Sequence, residues 1–364
     1  VKLRELHGQS ALRGVASLIV FLAHATYYKL FPGYPIVERF YHVFFWSNQA
    51  VDIFFELSGF ILCYVYMLKK FRWGDYFLAR FSRIYPLYFA GLIFVLAIWL
   101  YDLKAGRGPG SYSPFVIFSN LVLIQDWPLV PYARSINYPT WSISVEVFLY
   151  IFIFPALCYL DKFLNSRQKF ALIVAPVVGY TLMLFIMGTK EAFWGPLLTF
   201  RGIVCFTSGF FTCSMGLRIK FRNVISKKIE LIFLLVTVAC LFLQFPFERN
   251  AVTLCIPLLV YLAAQDTSLL TRALAGKVFN WLGDISYSIY VWHWPVLFVL
   301  ARGLAGARNL RIVQVAHLDS PFFYIITTFG LVLLLAHCSH YYFERPVSTW
   351  LRKKRLFAVA PTMA

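Results

Sequence analysis

Ala11-Leu-Arg13-Gly-Val-Ala-Ser-Leu-Ile-Val-Phe-Leu-Ala-His24 is an apolar run with a cation near its start and an imidazole at its end. On an α-helix the eleven steps from Arg13 to His24 turn about 1,100°, three turns plus some 20°, so the two side chains share one face. They lie about 16 Å apart along the axis, roughly half of a bilayer's hydrocarbon core. A helix of this kind puts the guanidinium at a membrane surface and the imidazole deep below it. An ionisable group at that depth is costly to keep and points to function. The other reading is a neutral core histidine bonded to a neighbouring helix. Ala23-His24-Ala25 has the small-x-small form of a leader-peptide cleavage site, but the run continues through Tyr27 and Tyr28, so a spanning helix is expected.

The same pattern recurs along the chain. Of 364 residues, 60% are hydrophobic and 14% charged, and mean hydropathy is +0.70. The apolar residues fall in runs of about twenty, the length of a bilayer span. The fold class is all-α, a polytopic membrane bundle. Ten spans are expected at 12–31, 50–68, 85–101, 141–160, 170–188, 194–217, 229–246, 250–265, 285–303 and 321–343. Residues 1–364 read as a single integral membrane domain, with no soluble catalytic domain expected after the tenth span.

Net charge is +18, and its distribution argues against nucleic acid. With the N-terminus inside, the cytoplasmic segments carry 23 Lys/Arg and the outer loops 10, with Arg201 inside the sixth span completing the 34. That asymmetry is the positive-inside signature and puts both termini in the cytoplasm. Lys69-Lys70-Phe71-Arg72 and Arg352-Lys353-Lys354-Arg355 read as topology determinants beside anionic headgroups. The seven cysteines lie in or beside apolar spans, without Cys-x-x-Cys or Cys/His clustering, so neither a disulfide framework nor a metal site is expected. The longest outer loop, Asp102 to Thr140, holds a turn region from Gly106 to Pro114 and a short apolar piece from Phe115 to Ile124. That piece reads as re-entrant or interfacial.

Ionisable residues inside the expected spans narrow the search. They are Asp52 and Glu56 in the second, Glu146 in the fourth, Arg201 in the sixth, His293 in the ninth, and His337 and His340 in the tenth. Measured from the cytoplasmic end at 1.5 Å per residue, His24 and His293 lie at about 16 and 14 Å, and Glu146 and Asp52 at about 22 and 25 Å. Several such groups at similar depth suggest a shared polar cavity. Arg201 either snorkels to the outer surface or binds substrate. Arg80 and Arg83 share a helix face before Pro86, at the cytoplasmic entrance of the third span. With Arg13 they make a basic collar suited to phosphate, or a headgroup anchor. Glu344-Arg345-Pro346 reads as the structural end of the tenth span.

Six separated pieces together resemble the acyltransferase-three family of integral membrane enzymes that O-acylate bacterial glycans. They are Ala11-Leu-Arg-Gly with His24, Val51-Asp-Ile-Phe-Phe-Glu-Leu-Ser-Gly-Phe60, Arg80-Phe-Ser-Arg-Ile-Tyr-Pro86, Pro139-Thr-Trp-Ser-Ile-Ser-Val-Glu146, Ile285-Ser-Tyr-Ser-Ile-Tyr-Val-Trp-His-Trp-Pro295 and Phe343-Glu-Arg-Pro346. Arg201, Phe206 and Gly209 match a weaker family pattern. Glu56 departs from it, since that position is usually aliphatic. The resemblance implies that His24 is catalytic and Arg13 part of the same donor site. It brings Arg80, Arg83, Asp52, Ser58, Glu146, Arg201, Tyr287, Tyr290 and His293 in as donor-binding or supporting residues.

It also implies a bacterial cytoplasmic-membrane O-acyltransferase, most simply an O-acetyltransferase. The cosubstrate is acyl-coenzyme A with no bound cofactor, and the acceptor is a carbohydrate or lipid-linked glycan at the outer face. The coenzyme's phosphates would stay at the arginine collar while pantetheine runs along the Arg13–His24 face. His24 would take the acceptor's proton, oriented by Asp52 or Glu146, with a covalent acyl-histidine stage left open. Within the family the alternatives are acylation of an antibiotic or other small molecule, and succinyl transfer. Outside it stands a transporter or flippase of lipid-linked glycans, which needs a polar mid-membrane cavity but neither the Arg13–His24 pair nor the collar.

Overall fold

The computed structural model describes residues 5–27, 47–68, 71–106, 112–131, 135–187, 195–242, 248–307 and 321–358. The described residues are helical or irregular, with no strand among them. Each of the ten apolar segments holds a helix among its described residues, with 28–31 and 243–246 lying outside them. Among the described residues, six helical runs are both long and apolar enough to cross a membrane: Gln49–Met67, Trp73–Lys104, Tyr138–Leu160, Ser166–Ile186, Gly195–Arg218 and Ile326–Lys353, with Val252–Ala263 a shorter apolar helix. The chain is thus a multi-pass α-helical membrane protein. Lys69, Lys70, Tyr28 and the turn residues 107–111 lie outside the described residues, as do the side chains of Lys354 and Arg355.

The chain divides into two compact units. The first comprises Val1–Lys70, Asp126–Val130 and Ser144–Ser286. Within it α1 (His7–Tyr27) packs on α2 (Ser47–Met67), and α2 packs on the later helix Gly195–Arg218 through two glycines. A Cβ at Gly59 would stand 2.1 Å from the Phe206 carbonyl oxygen, and one at Gly209 would stand 2.0 Å from that of Glu56. Lipid tails are as apolar as leucine, so membrane helices gain little from burying apolar surface. Small residues that let backbones touch drive the pairing instead. Gly195–Arg218 is accordingly buried along most of its length, and Phe154, Phe206 and Phe210 fill the space around it.

The second unit comprises Phe71–Gln125, Pro131–Ile143 and Tyr287–Ala364. Its α3 (Trp73–Lys104) starts twelve residues before the expected span and passes through Pro86 without ending. Proline removes one backbone donor and strains the turn before it. Here the Tyr287 hydroxyl donates to the Ile84 carbonyl at 2.7 Å, supplying a side-chain donor beside that turn. The short apolar piece expected in the 102–140 loop forms α4 (Pro114–Leu121), capped by Ser113, whose hydroxyl accepts from the Val116 amide at 3.3 Å. The loop is tied down at Asn120. Its carbonyl accepts from Tyr88 at 2.6 Å and its side-chain oxygen from the Ile136 amide at 3.0 Å.

The fourth expected span is α5 (Trp141–Phe148), a wide π-turn (Leu149–Ile153) and α6 (Phe154–Leu160), with Pro155 just after the wide turn. The remaining helices of the first unit are α7 (Ser166–Ile186), α8 (Gly195–Arg218), α9 (Lys227–Phe242), α10 (Glu248–Ala263) and α11 (Leu269–Ala273). Helix α12 (Lys277–Ala307) begins in the first unit and continues into the second. The tenth segment corrects one expectation. Glu344-Arg345-Pro346 does not end the helix: α13 (Pro321–Ser339) runs through a second π-turn (His340–Glu344) into α14 (Arg345–Ala358). Both wide turns directly precede an X-Pro pair, where an added residue relieves the clash that proline makes with the preceding turn.

One polar cluster braces the first unit. Lys169 on α7 has a fully buried ammonium paired with Asp161, and it donates to the Ser214 hydroxyl at 3.1 Å. Ser214 on α8 donates in turn to Asp161 at 2.6 Å. Three chain segments are thereby pinned by one closed set of bonds.

Candidate active site

Arg13 is held rigidly on its helix. Its Nε donates to the Ser286 hydroxyl at 3.0 Å and its Nη2 to the Gly283 carbonyl at 2.9 Å, and Ser286 itself donates to that carbonyl at 2.8 Å. The two helices can approach this closely because glycine faces glycine. A Cβ at Gly14 would stand 2.7 Å from the Gly283 nitrogen, and one at Gly283 would stand 2.4 Å from the Ser10 carbonyl oxygen. Sequence reading paired Arg13 with His24 and missed Ser286 and Gly283. The visible signal was Gly14 beside the arginine.

His24 is half-buried near the end of α1, and its ring bonds the backbone of Val20, one helical turn back. A neutral imidazole that donates one N–H to a carbonyl carries its lone pair on the other nitrogen. The backbone therefore orients this ring, a task expected of Asp52 or Glu146. Those carboxylates hold other partners.

Asp52 is buried and forms an ion pair with Arg201 on α8, Asp52 Oδ1 to Arg201 Nε at 2.6 Å, with the two side chains 2% and 3% exposed. Thr253 on α10 donates to the other Asp52 oxygen at 3.4 Å. Snorkelling of Arg201 to the outer surface is thus overturned: the carboxylate across the helix seam makes burial the better place for its charge. Glu146 on α5 accepts from Ser58 on α2 at 2.6 Å and, through the same oxygen, from Tyr150. Tyr150 is four residues on from Glu146, a same-face spacing that the sequence offered. Glu56 is buried in the α2–α8 seam and accepts from Ser208 at 3.2 Å. An acid at this position is therefore carried by a hydroxyl on the facing helix.

The other expected residues belong to the second unit. Tyr290 donates to the Pro139 carbonyl at 2.8 Å and shares a 2.6 Å bond with the Ser142 hydroxyl. His293 is fully buried, with Nδ1 3.2 Å from the Ile289 carbonyl and its ring edge-on to Tyr290. Arg80 and Arg83 are half-buried on α3. Ser288 on α12 donates to Glu344 at 2.9 Å, and His340 Nδ1 lies 3.1 Å from the same oxygen. Among the described residues no group of three His, Cys, Asp or Glu side chains is placed to hold a metal ion.

The chain is thus a polytopic helical bundle that carries a clamped arginine and an oriented imidazole on one helix, α1. Residues 8–347 match the acyltransferase-three family model, described as an acyltransferase domain, and the chain belongs to that family. It is 22% identical, over 90% of its length, to a putative peptidoglycan O-acetyltransferase, YrhL, of Bacillus subtilis. It is 24% identical, over 71%, to the peptidoglycan O-acetyltransferase OatA of Listeria monocytogenes. A shorter match, 29% over 42% of the chain, is to the acyltransferase MdmB of Streptomyces mycarofaciens. These alignments span 56%, 46% and 38% of the relatives, so the chain spans about half the length of the curated relatives it matches. No solved structure matches it.

Proposed function

We propose that this chain is a membrane O-acetyltransferase that takes acetyl from cytoplasmic acetyl-coenzyme A and passes it to a hydroxyl of a carbohydrate at the outer face of a bacterial cytoplasmic membrane. The observation that carries the reading is the Arg13–His24 helix: a guanidinium locked by Ser286 and Gly283, and an imidazole oriented by Val20 three turns further on. The family assignment supplies acyl transfer, and the names of the Bacillus and Listeria relatives favour acetyl and a glycan acceptor.

In this reading both termini are cytoplasmic and ten helices cross the membrane. Arg13 contributes its positive charge to holding the donor's phosphates, and Arg80 and Arg83 are assigned to donor binding by the same phosphate chemistry. The ring nitrogen of His24 that does not bond Val20 takes the proton of the acceptor hydroxyl as its oxygen attacks the thioester carbon. The C–S bond breaks, and the imidazolium returns the proton to the leaving thiolate. Asp52, Arg201, Ser58, Glu146, Tyr287, Tyr290 and His293 keep the surrounding helices in register. His24 stands at about mid-membrane, so the acetyl group enters from inside and leaves on an acceptor bound from outside.

Sealed vesicles test this. In inside-out vesicles added acetyl-coenzyme A should be consumed, and a non-permeant glycan acetylated only when enclosed in the lumen; right-side-out vesicles should reverse both requirements. Acetylation of a glycan on the same face as the donor would overturn the cross-membrane reading. Loss of the gene without any change in acetylation of the surface glycans, measured by mass spectrometry, would overturn the assignment itself.

A further inference from the structure

The segment leading into α5 keeps a polar core in the second unit that the catalytic reading does not use. Asn137 is 1% exposed and seated between α3 and α12, where a Cβ at Gly91 would stand 2.6 Å from the Val291 side chain and 3.6 Å from the Asn137 nitrogen. That nitrogen donates to the Val291 carbonyl at 3.1 Å. Gln125, also 1% exposed, donates from its nitrogen to the Thr140 carbonyl and the Ser135 hydroxyl, each at 3.5 Å. Thr140 joins the two amides, since its N–H and its hydroxyl donate to the Asn137 carbonyl at 2.9 and 2.6 Å. A carbonyl only accepts, so the end of each side-chain amide that faces one is the N–H end, and its oxygen points elsewhere. Among the described residues neither Asn137 Oδ1 nor Gln125 Oε1 has a hydrogen-bond partner. Buried polar atoms are nearly always paired, so two unpaired acceptors around one threonine call for a ligand that donates. The place is not deep: Tyr138, next to Asn137 in the chain, is 46% exposed.

We propose that the side-chain oxygens of Gln125 and Asn137 bind hydroxyl groups of the acceptor sugar and so select which sugar is acylated. The inference rests on the glycan reading of the preceding section, whose topology puts this segment at the outer face. Two amide oxygens require donors. Sugar hydroxyls supply them, several to a ring, whereas phosphate and thioester oxygens only accept. Neutral acceptors also suit a neutral ligand, since an ammonium or a metal ion is held by carboxylates. The Gln125 bonds are long for N–H···O, so its amide can turn toward a ligand at small cost, while Asn137 is fixed by its seat and sets the direction of the second contact. A site built to bond a hydroxyl rejects the analogue that lacks it, because the buried acceptor is then left unpaired.

Full-length protein in nanodiscs is given acetyl-coenzyme A with the soluble disaccharide of peptidoglycan or one of its monodeoxy analogues, and kcat/KM is measured for each acceptor. In wild type the analogues that lack a bonded hydroxyl should fall about tenfold below the parent, as loss of one hydrogen bond predicts. Gln125→Met keeps the shape and removes the amide, so it should lower the parent and close the gap for one analogue. Binding of coenzyme A, measured by calorimetry, should stay at the wild-type level. Asn137→Leu should close the gap for a second analogue. Gln125→Glu keeps an acceptor oxygen and should keep the gap. Thermal unfolding is followed for each variant, and if Asn137→Leu does not fold, Gln125→Met decides alone. Equal rates for parent and analogues in wild type would overturn the inference. Variants that lose thermal stability yet discriminate like wild type would assign the two oxygens to an enclosed water, and would overturn it while leaving the glycan reading intact. Wild type that acetylates no member of the series would overturn both.

Discussion

The buried Asp52–Arg201 pair gives the sharpest test of the site's architecture. Asp52→Asn leaves the Arg201 guanidinium, 3% exposed, without its 2.6 Å carboxylate partner. Breaking a buried pair by removing one member costs about 3–5 kcal/mol, because the remaining charge is stranded. Arg201→Gln strands the carboxylate and should cost a similar amount. Replacing both at once removes the stranded charge, so Asp52→Asn/Arg201→Gln should cost well under the sum, giving a coupling energy of about 3 kcal/mol. Thermal unfolding in detergent reads this as midpoint shifts. At about 2–4 °C per kcal/mol, each single variant should fall by roughly 10 °C and the double variant by clearly less than the two combined. A double variant whose loss equals the sum of the singles would show that the two charges do not support one another. The position of Arg201 derived above would then be wrong.

Three further outcomes follow from the site. His24→Ala should abolish acetyl transfer while protein remains at normal levels in the membrane, since a base is lost and no topology signal; near-normal product would return His24 to a core histidine. Arg13→Ala should raise KM for the donor strongly and Arg13→Lys partly, with Ser286→Ala intermediate because it frees the fork without removing it; unchanged donor affinity in Arg13→Ala would remove the arginine from the donor site. Single-cysteine labelling in a cysteine-free background should find residues 218–228 and 345–353 accessible from the cytoplasm and residues 112–131 from outside, and an external α14 would break the ten-span topology.

Much of the fold was legible because membrane helices announce themselves by length and apolarity. Each of the ten apolar segments holds a helix among its described residues, six of the helical runs being long and apolar enough to cross a membrane. Errors fell where a local rule met a tertiary answer. Pro346 read as part of a helix end, yet a π-turn carries the chain past it, and α3 starts twelve residues before the expected span and continues through Pro86. Inside a membrane, neighbouring side chains and widened turns re-satisfy what proline removes. Arg13, His24 and their shared face could be read from spacing alone. The partners could not. Ser286 is 273 residues from Arg13 and Arg201 is 149 from Asp52, and nothing in a single sequence fixes which helices touch.

The fully buried Lys169 was counted among the inward positive charges that set topology, and in the folded chain it lies sealed against Asp161 and Ser214. It therefore has two employments at different moments. In the proposed topology it is an exposed cation during insertion and helps retain its loop on the cytoplasmic side. Once α6, α7 and α8 assemble, the same ammonium is withdrawn from water and becomes the rivet that joins them, so the signal that orients the chain is consumed in closing it.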